Sequence, residues 1–229
     1  MTQNLTYSQD FTEFKRGVKI SIPMLLGIIP FALVLGSQAT QKGFSFIEVH
    51  LFTGLNFAGG SEFAILELWT NPPIITFLVN SRHLLMGASL VPYLRHLPNK
   101  QVFPALFFMC DESWAVALED AQKRQAQTGI NHAFNLSFYT GLCFALYLMW
   151  VGFTALGGAI GPILGDASRF GFDMAFPAVF LVLLRGMWKS LHAARPGLVS
   201  LVTAALAYLY LPQGWHVPIG AVAGIASAY

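Results

Sequence analysis

Long apolar runs set the first limit on this chain. Eight of them, at about 17–39, 46–69, 72–94, 102–118, 134–159, 172–188, 198–211 and 217–229, follow one another with short polar connections. A membrane-crossing helix takes about 20 mostly apolar residues, and several runs reach that length. Across 229 residues the hydrophobic fraction is 55% and the charged fraction 10%, where soluble domains carry roughly 25% charged residues. One globular core cannot absorb so much apolar surface. The fold class that follows is all-α, a polytopic membrane helix bundle of about seven to eight hydrophobic segments. It reads as a single integral-membrane domain over 1–229, with a polar stretch at 1–14 leading in.

A net charge of +2 is too small to suggest a nucleic-acid partner. Cys110 and Cys143 lie in apolar runs and read as buried thiols rather than a disulfide framework. Lys15 and Arg16 precede an apolar run ending in Ser37-Gln38-Ala39, a small-x-small pattern. That run exceeds the roughly 7–15 residues of a signal-peptide core and follows a long polar lead, so the first helix reads as retained.

Basic residues near segment ends report orientation. Lys15, Arg16 and Lys19 place the N-terminus in the cytoplasm, and Arg95, Lys100, Lys123, Arg124, Lys189 and Arg195 point the same way. Segments two and three as two full crossings, after the first, would put Arg95 outside. The conflict disappears if the second segment breaks and folds back near Gly59-Gly60. The fourth needs the same treatment near Asp111-Glu112. Pro23 and Pro30 predict a kink in the first helix. The last two runs are short and read as half-helices or tilted spans. Gly157, Gly161 and Gly165, and again Gly220, Gly224 and Ala228, form small-residue stripes that let helices approach closely, although Pro162 disturbs the first of these.

Three polar constellations interrupt the apolar sequence. LVNSRHLLMG, 78–87, carries Asn80, Arg82 and His83 between apolar flanks. An arginine at a helix centre costs about 2.5–3.5 kcal/mol on insertion scales, so Arg82 must face the interior. Its candidate partners are Glu62, Asp111 and Glu112. FAGGSEF, 57–63, pairs helix-weakening Gly59 and Gly60 with Ser61 as a cap and Glu62 as a carboxylate. Two half-helices meeting there would free backbone groups for a ligand near mid-membrane. FFMCDESWAV, 107–116, holds Asp111 and Glu112, one able to balance Arg82 while the other titrates. His83 is a core histidine or a proton-linked group. The competing reading of Arg82 is a fixed ion pair that only locks helices together. No phosphate loop, zinc spacing or nucleophile triad appears, so neither an enzyme nor a metal or cofactor site is expected.

GIIPFALVLG in the first run, FAGGSEFA, the NSRHLLMGASLVPYL block and DESWAV together resemble the AzlC family of branched-chain amino-acid permeases, in its YgaZ-type form. The likeness extends from about Phe14 to the C-terminus and is most specific in the first half. It implies an inner-membrane exporter of L-valine and related amino acids, with methionine as a further substrate. It also implies a separate small membrane subunit of the AzlD or YgaH type. Many members carry Gln where this chain has Glu62, which argues against an obligatory proton carrier there.

Such a substrate is a zwitterion with a small apolar side chain. Arg82, with Asn80 and the Gly59-Gly60-Ser61 break, would take its carboxylate. Asp111 or Glu112 would take its ammonium, and Phe57, Phe31 and Phe63 would line the side-chain pocket. Glu62, His83, Asp111 and Glu112 form the candidate charge or coupling network. The alternatives are a channel or carrier for another small metabolite, or a scaffold for a partner subunit.

Overall fold

The computed structural model describes residues 2–67, 72–129, 133–164, 181, 191–212 and 215–228. Apart from Leu181, the sixth apolar run at 172–188 lies outside these residues, as do Gly165 and Lys189. The described residues form helices and no strand: α1 Thr2–Gln41, α2 Phe46–Asn56, α3 Gly59–Glu67, α4 Pro72–Asn80, α5 Arg82–Leu94, α6 Asn99–Phe107, α7 Asp111–Thr128, α8 Leu136–Leu164, α9 Leu191–Tyr210 and α10 His216–Ala228. Two stretches, Asp10–Gln41 and Leu136–Ile163, are long and apolar enough to cross a bilayer. The side-chain distribution is inverted relative to a water-soluble protein. Ile22, Leu26, Leu84, Leu85, Leu148 and Ile163 are exposed, while Ser21, Thr53, Ser61, Glu62, Ser113 and Thr154 are fully buried. Apolar outer faces suit lipid, and interior polar groups must then find partners within the protein.

The chain divides into two compact units, Met1–Glu62 with Asn80–Gly165, and Phe63–Val79 with Asp166–Tyr229. The first unit is built on α1 and α8, which lie side by side and run in the same direction. Gly17 meets Phe138 and Leu142, and Gly141 meets Phe14. Further along, Gly36 meets Thr154 and Gly158, and Gly157 meets Leu33. A Cβ on Gly36 would stand 1.8 Å from the Thr154 carbonyl oxygen, and one on Gly17 2.1 Å from that of Phe138. Glycine is required at these positions because the two backbones touch. The helices pass through Pro23, Pro30 and Pro162 without ending there. Gly157 and Gly161 thus pack inside the unit, against α1.

Helix α2 opens with a capping box in which Ser45 Oγ accepts from the Glu48 N–H and Glu48 accepts from the Ser45 N–H. It runs back along α8, with Val49 beside Gly158 and the Tyr147 hydroxyl donating to the Gly54 carbonyl at 2.9 Å. It stops at Asn56. The chain leaves this unit after Glu62 and returns at Asn80, whose amide donates to Asn56 Oδ1 at 3.3 Å. Helix α5 then packs Met86, Leu90 and Leu94 into a core with Ala105, Met109, Ala117, Ala121, Tyr139 and Cys143.

Helices α6 and α7 form a re-entrant hairpin. Lys100 and Gln101 border a cleft with Phe14, Leu136 and Thr140, at the end where α1 and α8 begin. Just past the last of the nine residues of α6, Phe108 reaches the Tyr147 ring at mid-length of α8. Nine helical residues rise ~13 Å, about half of a ~30 Å hydrocarbon core. Helix α7 returns to the starting end, where Asp120 and Arg124 pair with Arg16 and Glu13 of α1. Lys100, in the first turn of α6, and Arg124, near the end of α7, therefore lie at the same end as Arg16, as the reading of the fourth segment as a folded-back hairpin requires.

In the second unit α9 and α10 are antiparallel. Gly220 packs on Ser200 and Ala204, and Gly224 on Pro196 and Ser200. The stripe on the last helix is used for packing within the chain. The seventh apolar run was expected to be a short segment starting near 198. Helix α9 has 20 residues and begins at Leu191, because the polar stretch LHAARP continues as helix before the apolar run starts.

The seam gives a matched test. Gly36→Val should abolish folded, monodisperse protein in detergent, since overpacking against backbone exceeds the roughly 1–3 kcal/mol of ordinary core overpacking. Gly27→Ala, where nothing lies within 4 Å of the added carbon, should leave thermal stability within ~1 kcal/mol of the parent.

Candidate functional site

Helix α2 ends because Phe57 turns into the left-handed region, at φ 41° and ψ 47°. It is the one described non-glycine residue with positive φ. That conformation costs an L-residue roughly 1–2 kcal/mol, so surrounding contacts must hold it. The Phe57 N–H bonds the Thr53 carbonyl, and its ring stands edge-on to Tyr147 with centroids 5.0 Å apart. The interruption therefore lies at Phe57-Ala58, with Gly59 and Gly60 already opening α3. Gly59 has a packing role, because a Cβ there would fall 2.8 Å from the Trp150 ring.

Glu62 is fully buried, one turn into α3. Its carboxyl oxygens accept from the Ala58 N–H at 3.1 Å, Trp150 Nε1–H at 2.9 Å and Thr53 Oγ1–H at 3.3 Å. One side chain thus ties the start of α3 to α2 and α8. Ser61 does not cap α3. It sits inside the first turn, donates to the Ala58 carbonyl and accepts from Asn56 Nδ2, both at 2.9 Å.

Arg82 pairs with Asp111 rather than with Glu62 or Glu112. Its Nη1 lies 2.8 Å from Asp111 Oδ2, and the two side chains remain 38% and 41% exposed. Both are first residues of helices. Asp111 opens α7, where a carboxylate complements the positive end of the helix dipole. Arg82 opens α5 after a one-residue step at Ser81, where the dipole disfavours a cation, so Asp111 offsets that cost. The sequence reading treated 72–94 as continuous, and only Ser81 within NSRH marks the interruption. Arg82 Nε is buried with no hydrogen-bond partner among the described residues, as is Asn80 Oδ1. His83 is half-buried with Nδ1 3.3 Å from the Asn80 carbonyl. Glu112 is half-buried and joins no ion pair among the described residues.

Asn80, Arg82, His83 and Asp111 are thereby brought together, and Asn80 links them to Asn56 and Ser61 at the first break. Phe57 borders that break. Phe31 is half-buried on α1, and Phe63 belongs to the second unit. An apolar cleft of about 540 Å³ runs along α6 and α8, lined by Phe14, Pro104, Phe108, Tyr139, Phe144 and Tyr147 among others. It includes neither Arg82 nor Asp111.

Sequence reasoning missed Tyr147 and Trp150. Tyr147 touches Phe57 at the end of α2 and Phe108 at the end of α6, each at 5.0 Å. Trp150 covers Gly59 and binds Glu62. Their spacing, two polar-tipped aromatics three apart in LYLMW, places them on one helix face and was the available signal.

Broken helices, a re-entrant hairpin and an interior ion pair in a lipid-facing bundle define a polytopic membrane protein of the kind that handles small solutes. The chain belongs to the AzlC family, whose model, described as AzlC protein, matches residues 23–164. An uncharacterised membrane protein of Archaeoglobus fulgidus is 32% identical over 78% of each chain. The branched-chain amino acid transport protein AzlC of Bacillus subtilis is 28% identical over 83% of this chain and 75% of its own. The inner membrane protein YgaZ of Escherichia coli is 27% identical over 72% of this chain and 65% of its own. No solved structure matches.

The Glu62 clamp predicts thermodynamic coupling. Trp150→Phe keeps the ring and removes the N–H. It should cost ~1–3 kcal/mol, the penalty for leaving a buried acceptor without its donor. Unfolding of Trp150→Phe, Glu62→Gln and the double variant should show an effect smaller than the sum of the singles.

Proposed function

We propose that this chain is a secondary transporter for branched-chain amino acids, L-valine foremost and methionine in addition. It exports them across the bacterial inner membrane with its N-terminus in the cytoplasm. An ion or proton gradient drives the cycle, and a small membrane subunit of the AzlD or YgaH type completes the system. Family membership and the printed name of the Bacillus subtilis relative support the substrate class. The presence of Lys100 and Arg124 at the same end as Arg16 supports the orientation.

The observation that carries the reading is the half-engaged Arg82–Asp111 pair. Only Nη1 of Arg82 is used by Asp111, and the buried Nε has no partner among the described residues, so that edge would meet a second carboxylate once the site opens. A guanidinium fork suits a carboxylate bidentately, and two helix starts add partial positive charge beside it. Asp111 keeps Oδ1, and Glu112 stands next to it, for the ammonium. An amino-acid zwitterion then meets a donor edge and an acceptor side by side. Selectivity among apolar side chains is loose, since one methylene is worth about 1–3 kcal/mol.

Labelled-valine flux into proteoliposomes, with this protein alone and with its small subunit, tests the reading. The expected result is saturable flux competed by leucine, isoleucine and methionine but not by lysine. Non-saturable flux would indicate a channel, and flux from the small subunit alone a scaffold. Arg82→Lys should weaken apparent affinity about 10- to 100-fold, matching ~1.5–3 kcal/mol for a lost charge-assisted hydrogen bond. Full transport by folded Arg82→Ala would contradict the role given to Arg82.

A further inference from the structure

Helix α7 carries charge at both ends of its inserted half. At its start Asp111 holds Arg82. Nine residues on, ~13 Å along the axis, Asp120 enters a ring of four charges. Arg16 contacts Glu13 at 2.9 Å and Asp120 at 2.8 Å, while Arg124 contacts Asp120 at 2.9 Å and also Glu13. Each charge thus meets two of opposite sign. The Arg16 guanidinium also lies 3.7 Å over the centroid of the Phe138 ring on α8. All four side chains are between 15% and 34% exposed, neither dry nor freely solvated.

Two kinds of contact meet on α1 in this unit, apart from the apolar core that Ala117 and Ala121 of α7 share with α5 and α8. The α1–α8 seam is backbone on backbone at glycine, which cannot slide without collision. The α7–α1 junction is made of ion pairs. Partly exposed ion pairs contribute little net stability, so they break and re-form at low cost. Helix α7 is also the wrong composition for a lipid-facing span, with Asp111, Glu112, Glu119, Asp120, Lys123 and Arg124 in its 18 residues. A polar helix in a bundle lies along water or other polar groups.

From these observations we infer that the Glu13–Arg16–Asp120–Arg124 ring is the gate of the transport path at the end where α1 and α8 begin. Helix α7 is the moving element, and the α1–α8 pair is the frame it closes against. Because Asp111 and Asp120 share one helix, a ligand that competes for Arg82 loosens α7 at one end and the ring at the other. Trp114, whose Nε1–H donates to Ser89 Oγ of α5 at 2.8 Å, is the pivot between them. The inference rests on the transporter reading, but its test does not require valine to be the substrate.

Cys110, half-buried immediately before Asp111, is a built-in reporter of access to the hairpin tip. In full-length reconstituted protein with Cys143→Ser, labelling of Cys110 by a membrane-impermeant thiol reagent is measured from each side of the bilayer. Arg16→Gln with Arg124→Gln should raise the rate about fivefold from the ring's side only, the scale of ion pairs of this exposure. Reversing all four charges (Glu13→Arg, Arg16→Glu, Asp120→Arg and Arg124→Asp) keeps every contact between opposite signs and should return the parent rate. An unchanged rate in the neutralised protein overturns the gate. An equal rise from both sides, or no recovery in a stably folded swap, also overturns it and leaves the ring a fold-holding contact. A gated Cys110 in a protein that moves no valine would instead reject the substrate and keep the gate.

Discussion

Tyr147 and Trp150, three residues apart on α8, hold in place the interruptions after α2 and after α6. Tyr147 donates to the last turn of α2 and packs its ring against Phe57 and Phe108, the residues at which α2 and α6 stop. Trp150 lies on Gly59 and donates to Glu62. Ends of helices inside a membrane expose backbone groups that lipid cannot satisfy, so they persist only where protein covers them. The aromatic pair supplies that cover at mid-length of a continuous helix. It also absorbs the strain of the left-handed Phe57 and thereby fixes where α3 begins.

This anchoring has a consequence for charge. With Glu62 occupied by three donors, the carboxylate left for Arg82 is Asp111, at the tip of a hairpin that enters and leaves from one end. Arg82 and Asp111 are then poised rather than consumed, each with part of its bonding capacity open and each more than a third exposed. A fixed structural ion pair in lipid would be expected to satisfy its remaining donors, because unpaired buried polar atoms are costly. On the proposed reading, Nε, which has no partner among the described residues, separates a receptor for a second carboxylate from a lock. On the proposed reading, the glycine-packed α1–α8 seam is the stationary part and α7, joined to α1 by ion pairs, the mobile one.

Much of this was legible in the sequence, and the reasons differ from residue to residue. Composition alone dictates the helical bundle, because only helices and closed barrels satisfy the backbone in lipid. The two interruptions were readable from the conflict between loop charges and full crossings, together with polar residues that no lipid-facing helix tolerates. The partner of Arg82 was narrowed to three acids and no further, since choosing among them depends on where two distant hairpins meet. The position of the first break was off by two residues because glycine was taken as the turning residue. The structure uses Phe57 there and spends Gly59 on clearance for Trp150, a tertiary contact 91 positions away in the chain from Gly59. The step at Ser81 carries no proline or glycine and left no local mark. Of the ring of charges at the base of α7, only Arg16 and Arg124 were read, as markers of orientation, because its members on α1 and α7 are more than 100 residues apart.

The central claim is that an amino-acid carboxylate docks on the open edge of Arg82 beside Asp111. The most direct measurement is an experimental structure of the full-length protein in lipid with L-valine bound. The account predicts ligand density between the starts of α5 and α7, its carboxylate within hydrogen-bond distance of Arg82 Nε. Ligand density elsewhere, with Arg82 still joined only to Asp111, would contradict it and return that pair to the role of a lock between helices.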